Sequence, residues 1–113
     1  MNISGQVWNN VVQINLDGRF DAATAPAVEQ YIRDCIGRGL THVVLNMSNV
    51  QYIASAGLRV VLAMTKELRL THKGDLRVAA LPESVAKVFE LSGLFSVIRI
   101  FDDVSTATQS FFG

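Results

Sequence analysis

The segment NVQYIASAGLRVVL, residues 49–62, contains the hydroxyl group best placed for chemistry in this chain. Tyr52 and Ile53 are typical of the end of an apolar strand or of its exit loop, and the apolar spacing from Leu58 onward is that of a helix. Ser55 is therefore predicted to lie where a helix begins. A serine at that position can cap the helix, because its side-chain oxygen can accept a hydrogen bond from a free backbone N–H. It can also carry a phosphate, because the first turn of a helix attracts anions.

These two interpretations have different consequences for function. A capping serine contributes about 1 kcal/mol to stability, and Ala56 and Gly57 would then be small because the backbone packs closely there. A phosphate on Ser55 would add about −1.5 to −2 charges and considerable bulk to the surrounding surface. Such a surface could work as a switch. The spacing of the residues leaves both interpretations open.

Enzymatic and metal sites are not indicated by the sequence. The segment IASAG lacks the first glycine of the G-x-S-x-G motif of serine hydrolases. His42 lies at the start of a predicted strand and His72 lies about five turns farther along the helix that Ser55 begins, so neither can activate the serine. Cys35 and the two histidines lack the spacing of metal ligands, and no phosphate-binding loop motif is present. We expect no catalytic residue, no metal ligand and no cofactor.

Composition and charge narrow the classes of partner. The chain of 113 residues is 50% hydrophobic and 18% charged, which favours one compact domain over residues 1–113. Ten basic residues balance ten acidic residues, so no overall field points to nucleic acid or to an anionic membrane. No apolar run is long enough to span a bilayer, and the N-terminal residues do not resemble a signal peptide. We expect a cytoplasmic protein in which the single cysteine, Cys35, is buried and unreactive.

The first elements of the chain are predicted to be a hairpin and a helix. Strands over 2–8 and 11–18 are joined at Asn9 and Asn10, which tolerate the positive φ angles of a tight turn. A loop over 18–26 follows, and the next helix has Pro26 in its first turn. The apolar positions of that helix repeat at helical spacing, and Gly37 or Gly39 ends it; they are Val28, Tyr31, Ile32, Cys35 and Ile36.

The remaining elements alternate between strand and helix. THVVLNM, residues 41–47, is typical of a strand covered on both faces. The helix that begins near Ser55 is predicted to run to about Lys73, with Gly74 after it. The later elements are a strand over 75–81, a helix over 82–93, a strand over 96–101 and a closing helix over 102–112, capped by Asp102 or Asp103. This order predicts an α/β fold with a mixed sheet of four to five strands and about four helices packed against it.

The helix after Ser55 is predicted to be anchored along its length. One side of it carries an apolar stripe that should face the core, formed by Leu58, Val61, Thr65, Leu68 and His72. The opposite side carries Arg59, Lys66 and Lys73 at seven-residue spacing, with Ala63 and Leu70 between them. This basic stripe is either a solvated helix face or a docking surface for a partner with acidic groups. Trp8, at the hairpin, is interpreted as a packing residue.

Three segments together carry a resemblance to a known family. LNMSNVQYIASAGLRVVL resembles the signature of the anti-sigma factor antagonists, the stand-alone STAS domains typified by SpoIIAA and RsbV. LDGRFDAATAP is similar to the acidic loop of that family, and VFELSGLFSVIRIF is similar to its later S-G-L segment. The resemblance covers essentially the whole chain in the right order, and it implies a STAS (SpoIIAA-like) fold.

The resemblance also implies roles for individual residues. Ser55 falls on the serine that the partner kinase phosphorylates, and Asp21 falls on the acidic residue of the loop beside that serine. Gly57 matches the glycine of the G-L pair that follows it. One position departs from the family, because Ala54 stands where the family usually has aspartate, which removes a carboxylate acceptor from the site. Ala56 replaces a serine or threonine, which leaves Ser55 as the only hydroxyl at this junction.

The mechanism implied by the resemblance is partner switching. The unphosphorylated protein would bind an anti-sigma factor, itself a serine kinase, and so release a sigma factor for transcription. Phosphorylation of Ser55 would weaken the complex, and a serine phosphatase of the metal-dependent class would restore it. The protein would be no enzyme, a monomer or weak dimer, and its expected contact residues beside Ser55 are Asp21, Gln51, Tyr52, Ala54, Ala56, Gly57 and Arg59. The alternative is a STAS scaffold or assembly module that acts by binding alone.

Overall fold

A computed structural model describes residues 1–112 of the chain. Within these residues the strands are β1 (Asn2–Trp8), β2 (Val11–Phe20), β3 (His42–Ile53), β4 (Asp75–Ala79) and β5 (Arg99–Phe101). The helices are α1 (Ala25–Gly37), α2 (Ser55–Thr71), α3 (Glu83–Leu91) and α4 (Val104–Gln109). Short 3-10 turns cover Leu94–Ser96 and Ser110–Phe112. The predicted α/β class, strand number and helix number are therefore confirmed.

The strands form one mixed sheet in the order β1-β2-β3-β4-β5. β1 pairs with β2 in antiparallel fashion, and every other neighbouring pair is parallel. The turn between β1 and β2 contains Asn9 and Asn10 with φ angles of 51° and 65°, which confirms the predicted hairpin. The parallel strands β2, β3 and β4 all end at the same edge of the sheet, and each is followed there by the segment that leads into a helix.

The two faces of the sheet are covered by different helices. One buried cluster joins α1, α2 and α3 to alternate strand residues such as Val43 and Leu45. A second cluster packs Ala107 of α4 against the opposite face, on Val44 and its neighbours. Because successive strand residues point to opposite faces, the complete burial of Val43, Val44 and Leu45 confirms that β3 is covered on both faces.

Several element boundaries differ from the prediction. The helix α1 does begin with Pro26 in its first turn, and Asp103 caps α4 by accepting a hydrogen bond from the Thr106 N–H. However, β2 continues to Phe20, although the sequence predicted an end at 18. β3 runs without interruption to Ile53, where the sequence predicted a strand over 41–47 and left Tyr52 and Ile53 as either a strand end or its exit loop. The helix α2 ends at Thr71 rather than near Lys73.

Side-chain burial explains the longer strands. Val50 and Ile53 are buried beyond the apolar run that ends at residue 47, and Phe20 is buried beyond the expected end of β2. Two register shifts, between Asn15 and Asp17 and between Gly18 and Arg19, allow β2 and β3 to stay paired over this irregular stretch. The polar residues between these anchors concealed the strand pattern in the sequence.

Candidate functional site

The candidate site forms where β2 and β3 end side by side. Phe20, the last residue of β2, pairs with Ile53, the last residue of β3. One residue later, the Ala54 N–H donates a hydrogen bond of 2.9 Å to the Phe20 carbonyl oxygen. Asp21 directly follows Phe20 in the chain, and Ser55 directly follows Ala54. The structure therefore brings the Asp21 loop, residues 21–24 between β2 and α1, next to the start of α2.

Ser55 is the first residue of α2 and is exposed. The capping position is occupied by Ala54, whose backbone is extended, with φ −103° and ψ 173°. The Ala54 carbonyl accepts hydrogen bonds from the N–H groups of Gly57, at 3.0 Å, and Leu58, at 3.1 Å. Alanine has no side-chain acceptor, and no side chain caps this turn within the described residues. The interpretation of Ser55 as the helix cap is therefore wrong, because the helix begins at Ser55 itself, one residue earlier than a capping serine at that position requires.

Gly57 allows α2 to start close against β2. A Cβ atom at position 57 would lie 2.8 Å from the Phe20 carbonyl oxygen and 3.0 Å from atoms of the Ile53 and Phe20 side chains. No larger residue fits that space without a shift of the backbone. The sequence interpretation of Gly57 as a close-packing position agrees with this geometry.

The Asp21 loop is ordered by its own hydrogen bonds. The Asp21 carboxylate accepts hydrogen bonds from the backbone N–H groups of Ala23, at 3.1 Å, and Thr24, at 3.3 Å. It also lies 3.5 Å from the Arg19 guanidinium. Partial burial acts to raise the pKa of Asp21, but the hydrogen bonds from Ala23, Thr24 and Arg19 together outweigh it and lower the pKa. The Asp21 carboxylate is thus ionised and held in place beside the N-terminus of α1.

Arg19 is a site residue that the sequence did not identify. Its guanidinium lies 4.4 Å from the centre of the Tyr52 ring, in the geometry of a cation–π contact. Arg19 and Tyr52 are register partners on β2 and β3, and Tyr52 is 44% exposed. The sequence prediction ended β2 at residue 18; a prediction that continued the strand to Phe20 would have paired Arg19 with Tyr52 through the register. Arg19 therefore links Tyr52 to Asp21.

A groove between α1 and α2 continues from the site. Its volume is about 560 Å³, and Ala56 and Arg59 line its α2 side. Ala22, Pro26 and Glu29 are among the residues on its α1 side. Two of the expected contact residues therefore border a cavity that begins next to Ser55.

Gln51 lies apart from this groove. It is exposed on β3 and borders a different, shallow cleft of about 400 Å³, together with Asp17, Ser48 and Pro82 at the start of α3. The structure thus gathers the Asp21 loop, Tyr52 and residues 54–59 at one surface, and it leaves Gln51 on the neighbouring side.

His42 and Cys35, which the sequence analysis considered as candidate site residues, pack against other side chains of the fold. The His42 ring stacks on Phe111 at 4.9 Å, and Cys35 is buried on the core-facing side of α1. Within residues 1–112, no group of histidine, cysteine and acidic side chains is arranged to hold a metal ion. None of the helices in that range combines the length and hydropathy that crossing a bilayer requires.

The predicted basic stripe is shorter than expected. Arg59 and Lys66 are exposed on α2, with Leu70 85% exposed beyond them. Lys73 lies outside the helix in a left-handed conformation with φ 53°, so it does not continue the stripe. Trp8 is 48% exposed, with its ring edge-on to Phe112 at 6.0 Å.

Comparisons with known proteins agree with this architecture. The STAS domain model matches residues 2–107. BtrV of Bordetella bronchiseptica, provisionally described as an anti-sigma factor antagonist, is 35% identical over 96 residues, which span 85% of this chain and 82% of BtrV. The anti-sigma F factor antagonist of Paenibacillus polymyxa is 30% identical over 101 residues, which span 88% and 86% of the two chains.

Solved structures share the fold. Unphosphorylated SpoIIAA aligns with a TM-score of 0.75 at 19% identity, covering 98% of this chain and 97% of that chain. Phosphorylated SpoIIAA from Bacillus aligns with a TM-score of 0.74 at 22% identity, covering 97% and 99%. The predicted resemblance is confirmed by the sequence match along nearly the whole chain and by the shared sheet and helix arrangement. This chain belongs to the STAS domain family.

Proposed function

We propose that this protein is an anti-sigma factor antagonist that is switched by phosphorylation of Ser55. In the unphosphorylated state it binds an anti-sigma factor that is a serine kinase, and so releases a sigma factor. Phosphorylation weakens the complex, and a serine phosphatase of the metal-dependent class removes the phosphate. The observation that carries the proposal is the exposure of Ser55 at the first residue of α2, beside the end of β2.

The position of Ser55 suits a phosphoacceptor. Its hydroxyl is on the surface, where a kinase can reach it, while its backbone is anchored by the Ala54–Phe20 hydrogen bond and by the close fit of Gly57. The substrate hydroxyl is thus presented from a rigid segment. The kinase supplies ATP, metal ion and catalytic groups, and this chain supplies only the hydroxyl.

A phosphate at Ser55 would add negative charge to a surface that already carries Asp21, Arg19 and Arg59. Arg59 lies one turn farther along α2, and side chains four residues apart on a helix are neighbours. The phosphate would therefore compete with a partner for the Arg59 guanidinium, and the N-terminus of α2 would further stabilise it there. In a closed interface an unpaired phosphate is costly to desolvate, and each 1.4 kcal/mol lowers affinity about tenfold.

The proposed contact surface follows from the same geometry. It comprises the Asp21 loop, Tyr52 with Arg19 stacked on it, and the first turns of α2. Gln51 would contact the partner only at the rim, because it borders the neighbouring cleft. The groove between α1 and α2 offers a place for an apolar side chain of the partner beside Ala56.

A non-switching STAS scaffold is the second candidate function. It is favoured by Ala54, which leaves the capping position of α2 without the carboxylate that the family usually has. A scaffold of this kind would bind its partner equally well whatever the state of Ser55.

Binding measurements with three variants separate the two candidates. Calorimetric titrations against the anti-sigma factor kinase of the same organism would use the wild type, Ser55→Ala and Ser55→Asp. We expect Ser55→Ala to bind as the wild type does and Ser55→Asp to bind at least tenfold more weakly. Ser105→Asp is the matched control, because Ser105 is also exposed in the first turn of a helix, α4, on the opposite face of the sheet.

The outcomes distinguish the proposals. Equal affinity of the wild type and Ser55→Asp would contradict the switch and leave the scaffold. A loss of binding in Ser105→Asp equal to that in Ser55→Asp would contradict the proposed surface. Absence of binding by the wild type would contradict antagonism of that kinase.

A further inference from the structure

We propose that this protein forms a dimer in which β1 pairs with β1 of a second copy. The pairing is antiparallel, with its two-fold axis at Gly5, and it joins two five-stranded sheets into one continuous sheet. This inference goes beyond the proposed function and does not depend on it.

The first argument is that β1 is an unprotected edge. It is seven residues long and lies at the outside of the sheet. It contains no charged residue and no proline, and its pairing with β2 is regular from Asn2 to Trp8 without a bulge. Charged side chains, proline, bulges and short length are the features by which sheet edges avoid pairing with other strands.

The other edge of the same sheet is protected. β5 is three residues long and begins with Arg99. Arg99 is exposed, and its guanidinium lies over the Phe101 ring at 5.2 Å. One edge therefore shows the usual protection, and only β1 presents a long, uncharged row of backbone donors and acceptors.

The second argument is that the sequence of β1 is complementary to itself. In an antiparallel pair centred on Gly5, Ile3 lies opposite Val7 of the other copy, and Ser4 lies opposite Gln6. Apolar Ile3 and Val7 therefore meet on the face that α1 covers, and polar Ser4 and Gln6 meet on the other face, where Asn2 lies opposite Trp8 at each end of the pair. Glycine at the axis, where the strand meets its own copy, adds no side chain to the contact.

Exposure and charge are compatible with the second copy that the self-complementary sequence of β1 favours. Val7 is 54% exposed at this edge. Ile3, on the same face of β1, already packs against the core with Tyr31 of α1. Pairing would extend that apolar surface across the two copies and cover Val7. The chain has a formal net charge of +0 at pH 7, so two copies meet without net repulsion.

The Ser55 site stays separate from this interface. β2 lies between β1 and β3, and Ser55 follows the end of β3. A dimer would therefore present two Ser55 sites, one from each copy.

The test is the oligomeric state of the purified protein. Sedimentation equilibrium over roughly 1–500 µM spans the dissociation constants of weak to moderate dimers. We expect a concentration-dependent dimer for the wild type and a dissociation constant at least tenfold larger for Val7→Lys and for Ser4→Lys. Leu91→Lys is the matched control for the first change, because Leu91 is 78% exposed on α3, away from β1, and its dissociation constant should equal that of the wild type.

Tryptophan fluorescence gives a second readout. Trp8 is the only tryptophan and is half exposed at the end of β1, so its emission should shift to shorter wavelength as the dimer forms. Circular dichroism of each variant checks that it folds. A wild type that stays monomeric throughout would overturn the proposal, as would a dimer that Leu91→Lys weakens and that neither β1 variant weakens.

Discussion

Gly57 lies directly against the carbonyl oxygen of Phe20, where the first turn of α2 meets the end of β2. A Cβ atom added to Gly57 would be 2.8 Å from that oxygen, closer than Cβ atoms approach other heavy atoms in folded proteins. The same oxygen accepts the hydrogen bond from the Ala54 N–H. The start of α2, and with it Ser55, is therefore positioned by contact with one peptide group of β2.

Replacing Gly57 by alanine should destabilise the domain. Since neither the β2 backbone nor Ile53 can move freely, we expect a loss of about 1–3 kcal/mol in the free energy of unfolding, measured by urea denaturation. Gly37→Ala is the matched control, because Gly37 is at the end of α1 and a Cβ atom there would meet nothing within 4 Å. That change should be neutral or slightly stabilising. Equal effects of the two substitutions would contradict the close fit at Gly57.

Replacing Ala54 by aspartate should stabilise the domain. Ala54 has the extended backbone of a helix cap but no side-chain acceptor, and aspartate there can accept a hydrogen bond from the N–H of Ala56 or Gly57. We expect a gain of about 1 kcal/mol, measured by thermal or chemical unfolding. Ala54→Ser should give a similar gain without the charge, whereas Ala54→Val should give none. A loss of stability in Ala54→Asp would mean that the site cannot accept the carboxylate.

The buried Asp75 carboxylate should be important for stability. It accepts hydrogen bonds from the Nε atoms of Arg69, at 2.7 Å, and Arg77, at 2.9 Å, and so ties the end of α2 to β4. Asp75→Asn removes the charge but keeps the shape, and we expect a loss of about 3 kcal/mol because two cations lose their partner. Glu29→Gln, at the exposed ion pair with Arg33, is the control and should cost at most about 1 kcal/mol. A loss at Asp75 no larger than that at Glu29 would argue against the role of the buried pair.

The cap of α4 should make stability depend on pH in the acid range. The hydrogen bond from the Thr106 N–H holds the pKa of Asp103 below its ordinary value of 3.8. A carboxyl group with a lowered pKa in the folded state contributes stability that is present above the unfolded pKa and is lost as the pH falls through the folded pKa. Asp103→Asn keeps a capping acceptor that does not titrate.

The comparison to make is the unfolding free energy of the wild type and Asp103→Asn between about pH 2 and pH 6. We expect the difference in unfolding free energy between the two proteins to be constant near the highest pH. As the pH falls below 3.8, the wild type should lose stability relative to Asp103→Asn. A difference that stays constant down to the lowest pH would contradict the role of the Asp103 carboxylate.

Periodic and capping patterns in the sequence predicted most of the fold. Val28, Ile32 and Cys35 repeat at helical spacing and are buried, and Asn9 and Asn10 have the positive φ angles of the expected turn. These signals are local, because each depends on residues within a few positions of one another. The order of strands and helices then sufficed to predict a mixed sheet.

The features that the sequence did not predict depend on contacts between residues far apart in the chain. The sequence left residues 52 and 53 as either a strand end or an exit loop, and β3 continues to Ile53 because Val50 and Ile53 are buried against other elements, although polar residues separate them. The cap position at Ala54 is set by its hydrogen bond to Phe20, more than thirty positions away. Arg19 entered the site only through its register with Tyr52, which no local pattern indicates.

The most direct test of the central claim is the modification state of Ser55. The protein would be purified from its own cells under several growth conditions, and its intact mass and its peptides would be mapped before and after phosphatase treatment. We expect the added mass of one phosphate, located on Ser55, removed by the phosphatase and absent from Ser55→Ala. An unmodified Ser55 under every condition would contradict the switch and would leave a domain that acts by binding alone.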